Sequence, residues 1–167
     1  MAQLHLIVGP VGSGKSTFAA QLAQQHNAAR FNLDEWMTRL FTPDRPASGV
    51  VEWYMERAAR CVDQIWSIAR DLVQLGMDVV LEIGLIQRHD RESLYARVDA
   101  EALELTIYVI DAPREVRRER VTRRNEERGA TFAMHVPPHF FELASDRWEP
   151  VTRAECDGRD VRFLQTA

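Results

Sequence analysis

The sequence predicts an α/β domain in which a parallel β-sheet is covered by helices. Short apolar runs alternate along the chain with segments of helical periodicity. A glycine-rich loop joins the first apolar run to the first helical segment. The length of 167 residues fits one domain, 1–167. A chain of this size buries roughly 70% of its unfolded surface without disulfides.

The elements can be placed in chain order. Apolar runs predict strands at 4–8, 28–33, 78–84, 103–110 and 160–164, and helical spacing predicts helices at 16–26, 35–41 and 50–75. Further helices are expected to begin within 85–91, after Asp111-Ala112-Pro113 and at Pro138. Asp111 suits the cap of its helix and Pro113 the first position.

The loop between the first strand and helix reads Gly9-Pro-Val-Gly-Ser-Gly-Lys-Ser-Thr17 and matches G-x-x-x-x-G-K-[ST]. Backbone N–H groups of such a loop, at a helix N-terminus, favour a bound phosphate. Lys15 is expected to reach the β- and γ-phosphates, and Ser16 to ligate Mg²⁺. The alternative is a glycine turn with an exposed lysine. The residues predicted to bind nucleotide here are Gly9, Val11, Gly12, Ser13, Gly14, Lys15, Ser16 and Thr17.

Composition favours a specific role for Lys15. It is the only lysine among 21 basic residues, and a slender ammonium is not interchangeable with guanidinium. An Asn-Lys-x-Asp guanine-reading motif is impossible with this single lysine, so ATP is the expected donor.

Asp34 is the predicted general base. It follows the second strand, and acids at the carboxyl ends of parallel strands face the same crevice as the phosphate loop. Its carboxylate could accept a proton from a substrate hydroxyl. Alternatively, Asp34 caps the following helix. Trp36, Arg39 and Trp53 are candidates for lining the substrate site, although aromatic residues at helical spacing also suit the core.

Glu82 lies within a buried-type strand, where an unpaired carboxylate is costly. We expect it to hold a Mg²⁺-bound water or the acceptor, with a structural ion pair as the alternative. Arg88 and Arg91, three residues apart, either hold an anionic substrate or lie in solvent.

The helix after Pro113 is rich in arginine. Arg120, Arg123 and Arg124 form a dense donor set that could stabilise charge on the γ-phosphate. The alternative is a solvated helix face.

Composition also limits the partners and location. The two cysteines show no paired or metal-binding spacing, which suits a reducing cytoplasm. No segment approaches the ~18 apolar residues of a membrane span, so no membrane partner is expected. The net charge of −4 disfavours, without excluding, nucleic acid.

The chain resembles the small P-loop kinases, specifically bacterial ATP-binding proteins similar to polynucleotide kinase, zeta toxins and chloramphenicol phosphotransferase. The residues that carry the resemblance are Gly9 to Thr17, Leu33-Asp34-Glu35 and Arg120-Val-Thr-Arg-Arg-Asn125. It implies a three-layer P-loop NTPase fold like that of nucleoside-monophosphate kinases, with a five-stranded parallel sheet in the order 2-3-1-4-5 and a lid at about 114–135.

The same resemblance implies roles for single residues. It implies that Asp34 is the base, that Lys15 binds the phosphates and Ser16 binds Mg²⁺, and that Arg120 and Arg124 lie over the donor. Glu82 stands where the relatives carry an aspartate. The expected activity is transfer of the ATP γ-phosphoryl group to a hydroxyl of a small polar molecule, such as a sugar, nucleoside or antibiotic. The alternatives are a polynucleotide 5′-hydroxyl kinase and a nucleotide-dependent switch acting on a partner protein.

Overall fold

A computed structural model describes residues 1–130 and 132–167. Five strands are present: β1 (Leu4–Val8), β2 (Ala29–Asn32), β3 (Val79–Glu82), β4 (Leu105–Asp111) and β5 (Asp160–Gln165). The helices are α1 (Lys15–His26), α2 (Leu33–Leu40), α3 (Val50–Gln74), α4 (Arg88–Ala100), α5 (Arg114–Glu127) and α6 (Pro138–Arg147). The predicted lid, 114–135, includes Thr131, which lies outside the described residues.

The strands form one parallel sheet in the order β2-β3-β1-β4-β5, which confirms the predicted topology. The register pairs Asn32 with Glu82, the last residues of β2 and β3. Because all strands run the same way, their carboxyl ends meet at one edge of the sheet. That edge carries the loop after β1 and the start of α2.

The two faces of the sheet are buried under different helices. Ile7 and the α1 residues Ala19 and Leu22 share one apolar cluster. On the opposite face, Leu4 and Leu6 share a larger cluster with residues of α3 and α4. Both faces of β1 are therefore covered, as expected for a central parallel strand. The resulting helix–sheet–helix arrangement is the predicted three-layer α/β fold.

Two helix caps differ from the prediction. The N-cap of α2 is Asn32, whose side chain accepts a hydrogen bond from the Glu35 N–H at 3.2 Å. Asp34 lies in the first turn, so the interpretation of Asp34 as the cap is wrong. Asp111 ends β4, and Pro113 occupies the N-cap position of α5. The Asp111 carboxylate accepts a hydrogen bond from the Ala112 N–H at 2.8 Å, and so stabilises the turn between the two elements.

Arg91 is a core residue, contrary to both interpretations of it as substrate-binding or solvated. Its side chain is fully buried in α4 and donates to Glu155 through Nε at 2.5 Å and Nη2 at 3.0 Å. The same guanidinium also donates to the carbonyls of Leu85 and Glu149. The buried ion pair thus joins α4 to two loops. Arg88, by contrast, is half exposed and pairs with Glu92.

No described helix combines the length and apolar character needed to cross a membrane. Cys61 and Cys156 are both buried and unpaired with each other.

Candidate active site

The loop after β1 requires glycine because backbone approaches it closely. A side chain at Gly9 would place its Cβ 2.0 Å from the Ile110 carbonyl oxygen. At Gly12, which has φ +78°, a Cβ would lie 2.7 Å from the Arg117 carbonyl oxygen. The loop is therefore pressed between β4 and α5, with no room for a side chain at Gly9 or Gly12. This packing holds its backbone in a compact turn at the N-terminus of α1.

Lys15 and Ser13 complete the loop. Lys15 Nζ donates to the Pro10 carbonyl at 2.9 Å, across the loop. Burial lowers the pKa of Lys15, while the nearby carboxylates of Glu82 and Asp34 oppose this shift. The Ser13 Oγ is buried without a hydrogen-bond partner among the described residues. Unsatisfied buried polar atoms are rare, and this one lies within a loop whose motif binds phosphate.

Ser16 and Glu82 form the second part of the site. Ser16 Oγ donates to Glu82 Oε1 at 2.5 Å, and Asn32 Nδ2 donates to Oε2 at 3.1 Å. Arg30 Nη1 lies 3.6 Å from the same carboxylate. Glu82 is largely buried, and burial raises its pKa in spite of these partners. The ion pair expected as the alternative for Glu82 is thus present with Arg30, whereas its role towards Mg²⁺ or an acceptor stays a prediction.

The oxygen donors of this pair suit Mg²⁺. Magnesium prefers carboxylate, hydroxyl and water oxygens in octahedral geometry. The Ser16 hydroxyl and Glu82 carboxylate are adjacent, and they stand beside the phosphate-binding loop. The side chains present therefore fit the ion that the fold family implies.

Asp34 projects from the first turn of α2 near the loop. Solvent reaches its side chain, yet the surrounding protein displaces enough water to raise its pKa. The positive charges of Lys15 and Arg124 oppose that shift. Asp34 also contributes to the raised pKa of Tyr54 on α3. A raised pKa and access to solvent are properties that a general base needs, and this role of Asp34 stays a prediction.

The three predicted lid arginines occupy different environments on α5. Arg124 is half-buried, acts electrostatically on Lys15 and Asp34, and keeps its Nε without a partner among the described residues. Arg120 donates to Thr166 Oγ1 at 2.8 Å and lies against the Ser13 carbonyl at 3.4 Å. Arg123 is exposed. Of the three, Arg124 is therefore the one whose charge acts on both Lys15 and Asp34, while Arg120 contacts the loop.

Arg117 also belongs to the site, although the sequence analysis did not single it out. Its buried guanidinium donates to the carbonyls of Val11 at 3.0 Å and Ala112 at 3.1 Å, and to Ser145 Oγ at 3.1 Å. It thereby ties the phosphate-binding loop to α5 and α6. The run of seven arginines between 114 and 128 hides this residue, since nothing in the run itself separates buried from exposed positions.

The candidate substrate residues separate into two groups. Trp36 and Tyr54 are half-buried and pack against the main apolar cluster. Trp53 is half-buried on α3, with the Arg57 guanidinium over its ring at 4.6 Å. Arg39 is exposed near the end of α2. These lie on the same pair of helices as Asp34, whereas Arg88 and Arg91 belong to α4 and its contacts with Glu92 and Glu155.

Solved structures share this fold at low sequence identity. A candidate kinase from Chloroflexus aurantiacus is 17% identical, with a TM-score of 0.75 over 98% of this chain and 85% of that chain. The Mycobacterium tuberculosis APS kinase, solved with AMPPNP and APS, is 15% identical, with a TM-score of 0.65 over 98% and 88%. A chain of the Pnkp1/Rnl/Hen1 RNA repair complex is 23% identical, with a TM-score of 0.62 over 87% and 43%.

The likeness to these structures confirms the P-loop kinase fold. A search of curated proteins finds no match to this sequence. A family model described as AAA domain matches residues 4–150. That range includes the loop, Asp34, Glu82 and the arginines of α5. The chain therefore belongs to this AAA domain family of P-loop proteins.

Proposed function

We propose that this protein transfers the γ-phosphoryl group of ATP to a hydroxyl of a small polar molecule. One observation carries the proposal: the charges of Lys15 and Asp34 act on each other, and the Arg124 guanidinium acts on both, beside the phosphate-binding loop. A triphosphate bound in the loop would contact Lys15 at the start of α1 and Arg124 on α5. Asp34 would then stand on the acceptor side of the γ-phosphate.

In this proposal, each residue of the site contributes to one part of the reaction. The acceptor oxygen forms a bond to the γ-phosphorus as the bond from that phosphorus to the β,γ-bridging oxygen breaks, and ADP leaves. Asp34 accepts the proton that the acceptor hydroxyl releases. Lys15 and Arg124 stabilise negative charge on the oxygens of the transferring group.

Ser16 and Glu82 would hold Mg²⁺. An ion held there would supply positive charge that offsets the negative charge of the phosphates. Asn32 and Arg30 orient the Glu82 carboxylate towards Ser16 through the contacts described above.

The acceptor site would lie between α2 and α3, where Asp34, Trp36 and Trp53 are found. A small hydroxylated molecule suits this position because the half-buried aromatic rings offer apolar faces beside a proton acceptor. The solved APS kinase, which holds AMPPNP and APS, supports a small-molecule acceptor on this fold.

A polynucleotide 5′-hydroxyl kinase is the second candidate. It is favoured by the similarity to a chain of an RNA repair complex. A net charge of −4 gives little general attraction for a polyanion.

The test measures ADP release with ATP and Mg²⁺ against sugars, nucleosides, aminoglycosides and 5′-hydroxyl oligonucleotides. Asp34→Asn is expected to lower transfer by about 10²- to 10⁴-fold and to leave ATP affinity within a few-fold. Asp44→Asn, an exposed acid beyond α2, serves as the matched control and keeps full activity.

The outcomes separate the hypotheses. Stimulation by a small molecule supports the proposal, and stimulation only by oligonucleotides supports the second candidate. If no hydroxylated compound raises ADP release but a protein partner does, the protein is a nucleotide-dependent switch. Full transfer activity in Asp34→Asn would refute the assignment of the base.

A further inference from the structure

A cluster of chelating side chains lies at the opposite end of the sheet from the phosphate-binding loop. His5 is the second residue of β1, His26 is the last residue of α1, and Asp78 directly precedes β3. These positions are distant in sequence, and the fold brings them together. The cluster takes no part in the proposed phosphoryl transfer, because Lys15 and His26 stand at opposite ends of α1, about 17 Å apart along the helix.

The three side chains point their ligand atoms at one place. His5 Nε2 and His26 Nδ1 each lie 3.2 Å from Asp78 Oδ2. All three ligand atoms fall within 4.8 Å of one another. Ligands placed 2.0–2.1 Å from a tetrahedral ion are separated by about 3.3 Å. The two histidine–aspartate distances therefore already match those around a tetrahedral centre.

Outer contacts hold two of the ligands in this orientation. Tyr108 Oη lies 3.4 Å from His5 Nδ1, the nitrogen that faces away from Asp78. The Gln3 N–H donates to Asp78 Oδ1 at 3.0 Å, which leaves Oδ2 for the cluster. Such outer-shell hydrogen bonds are the usual means by which proteins orient metal ligands.

The cluster has a route to solvent. His5 is fully buried, whereas the His26 side chain is 35% exposed. His26 and Asp78 border an open surface cavity of about 540 Å³. An ion could enter from this cavity, and water could supply a fourth ligand.

We propose that His5, His26 and Asp78 form a binding site for a divalent transition metal, with Zn²⁺ as the best-suited ion. Two imidazole nitrogens and one carboxylate oxygen form a ligand set typical of zinc and unlike the all-oxygen set of magnesium. The bound ion cross-links the amino ends of β1 and β3 to the carboxyl end of α1. The site is structural, and it does not depend on the proposed kinase activity.

The experiment titrates Zn²⁺ alone into the chelator-treated, full-length protein, without nucleotide. Calorimetry and competition with a chromogenic chelator measure stoichiometry and affinity. We expect one saturable site whose affinity falls at least about tenfold in His26→Gln and in Asp78→Asn. His89→Gln is the matched control, because His89 is 71% exposed on α4.

A spectroscopic measurement makes the result independent of folding effects. His26 is partly exposed, so His26→Gln is expected to fold even where a His5 variant does not. In ¹⁵N-histidine-labelled protein, Zn²⁺ should shift the ring signals of His5 and His26 and leave that of His89 unchanged. Thermal unfolding should move to higher temperature with Zn²⁺ in the parent protein but not in His26→Gln.

Two results would overturn the proposal. One is unchanged Zn²⁺ affinity in His26→Gln. The other is loss of Zn²⁺ binding in Glu82→Gln, which would assign the ion to the nucleotide site. Either result would leave the three residues as a hydrogen-bonded triad only.

Discussion

Two buried charged regions of this protein differ in how fully their hydrogen bonds are satisfied. Around Arg91, every guanidinium nitrogen donates to Glu155 or to a backbone carbonyl. Around the phosphate-binding loop, Ser13 Oγ and Arg124 Nε are buried without partners among the described residues. A saturated network stabilises the fold, whereas unsatisfied donors are available to a ligand.

The pKa shifts follow the same division. Burial raises the pKa values of Asp34 and Glu82 because their partners do not fully compensate for lost water. Half-exposed Glu142 on α6, paired with Arg118 and Arg114, has a pKa lowered to about 2 by those guanidinium groups. The first pair of carboxylates thus opposes folding at neutral pH, and Glu142 favours it. Charges held at a cost in stability are typical of functional sites.

The largest effect is expected on the activity of the site at the phosphate-binding loop, where buried polar atoms lack partners among the described residues. Arg124→Ala should lower the rate of phosphoryl transfer by about 10³-fold or more, because the charge on the γ-phosphate loses a guanidinium. Single-turnover kinetics would measure this rate. Arg123→Ala, the exposed neighbour on α5, should stay within a few-fold of the parent. Equal losses in both variants would mean that α5 contributes general positive charge only.

Substitutions in the Arg91 network should instead change the stability of the fold. Arg91→Met leaves Glu155 buried without its partner and should lower the free energy of unfolding by about 3–5 kcal/mol. Urea denaturation would measure this change. Arg88→Met removes an exposed pair and should change stability by less than about 0.5 kcal/mol. A small effect of Arg91→Met would show that Glu155 reaches water or another donor when Arg91 is lost.

The smallest expected effect concerns pH. Because the pKa of Glu82 is higher in the folded state, folding takes up protons between the unfolded value of about 4.5 and the raised folded value. Stability therefore falls as pH rises through that window. Glu82→Gln should remove this loss and stabilise the protein at pH 7 by about 1 kcal/mol, with no gain below pH 4.

Glu142→Gln provides the opposite case for the same denaturation experiment. Its pKa is lowered in the folded state, so its contribution to stability is present above its unfolded pKa and disappears towards pH 2. The variant should be less stable than the parent at pH 7. If Glu82→Gln and Glu142→Gln shift stability in the same direction at pH 7, the opposite contributions of these two carboxylates to folding are contradicted.

Local signals in the sequence were sufficient for the strands and the phosphate-binding loop. The apolar runs locate all five strands to within a few residues, and the glycine spacing identifies the turn before α1. The order of the strands came from the resemblance to P-loop kinases, since periodicity carries no information on which strands pair. The site roles of Asp34 and Arg124 remain predictions.

Long-range partners explain what the sequence could not show. Arg91 pairs with Glu155, 64 residues away, so its spacing from Arg88 could not show that Arg91 is buried while Arg88 is half exposed. Asn32 was missed as a cap because Asp34 is an equally good capping residue by type. The contact of Arg117 with Val11 spans 106 residues and leaves no local mark in an arginine-rich segment.

The close contact between Gly12 and the backbone of Arg117 has a consequence for movement. With no side chain between them, and with Arg117 bonded to the Val11 carbonyl, the first turns of α5 and the loop must travel as one piece. Since α5 runs unbroken from Arg114 to Glu127, Arg124, two turns further along, moves together with the loop. The loop and the arginine that would contact the γ-phosphate therefore form one rigid unit.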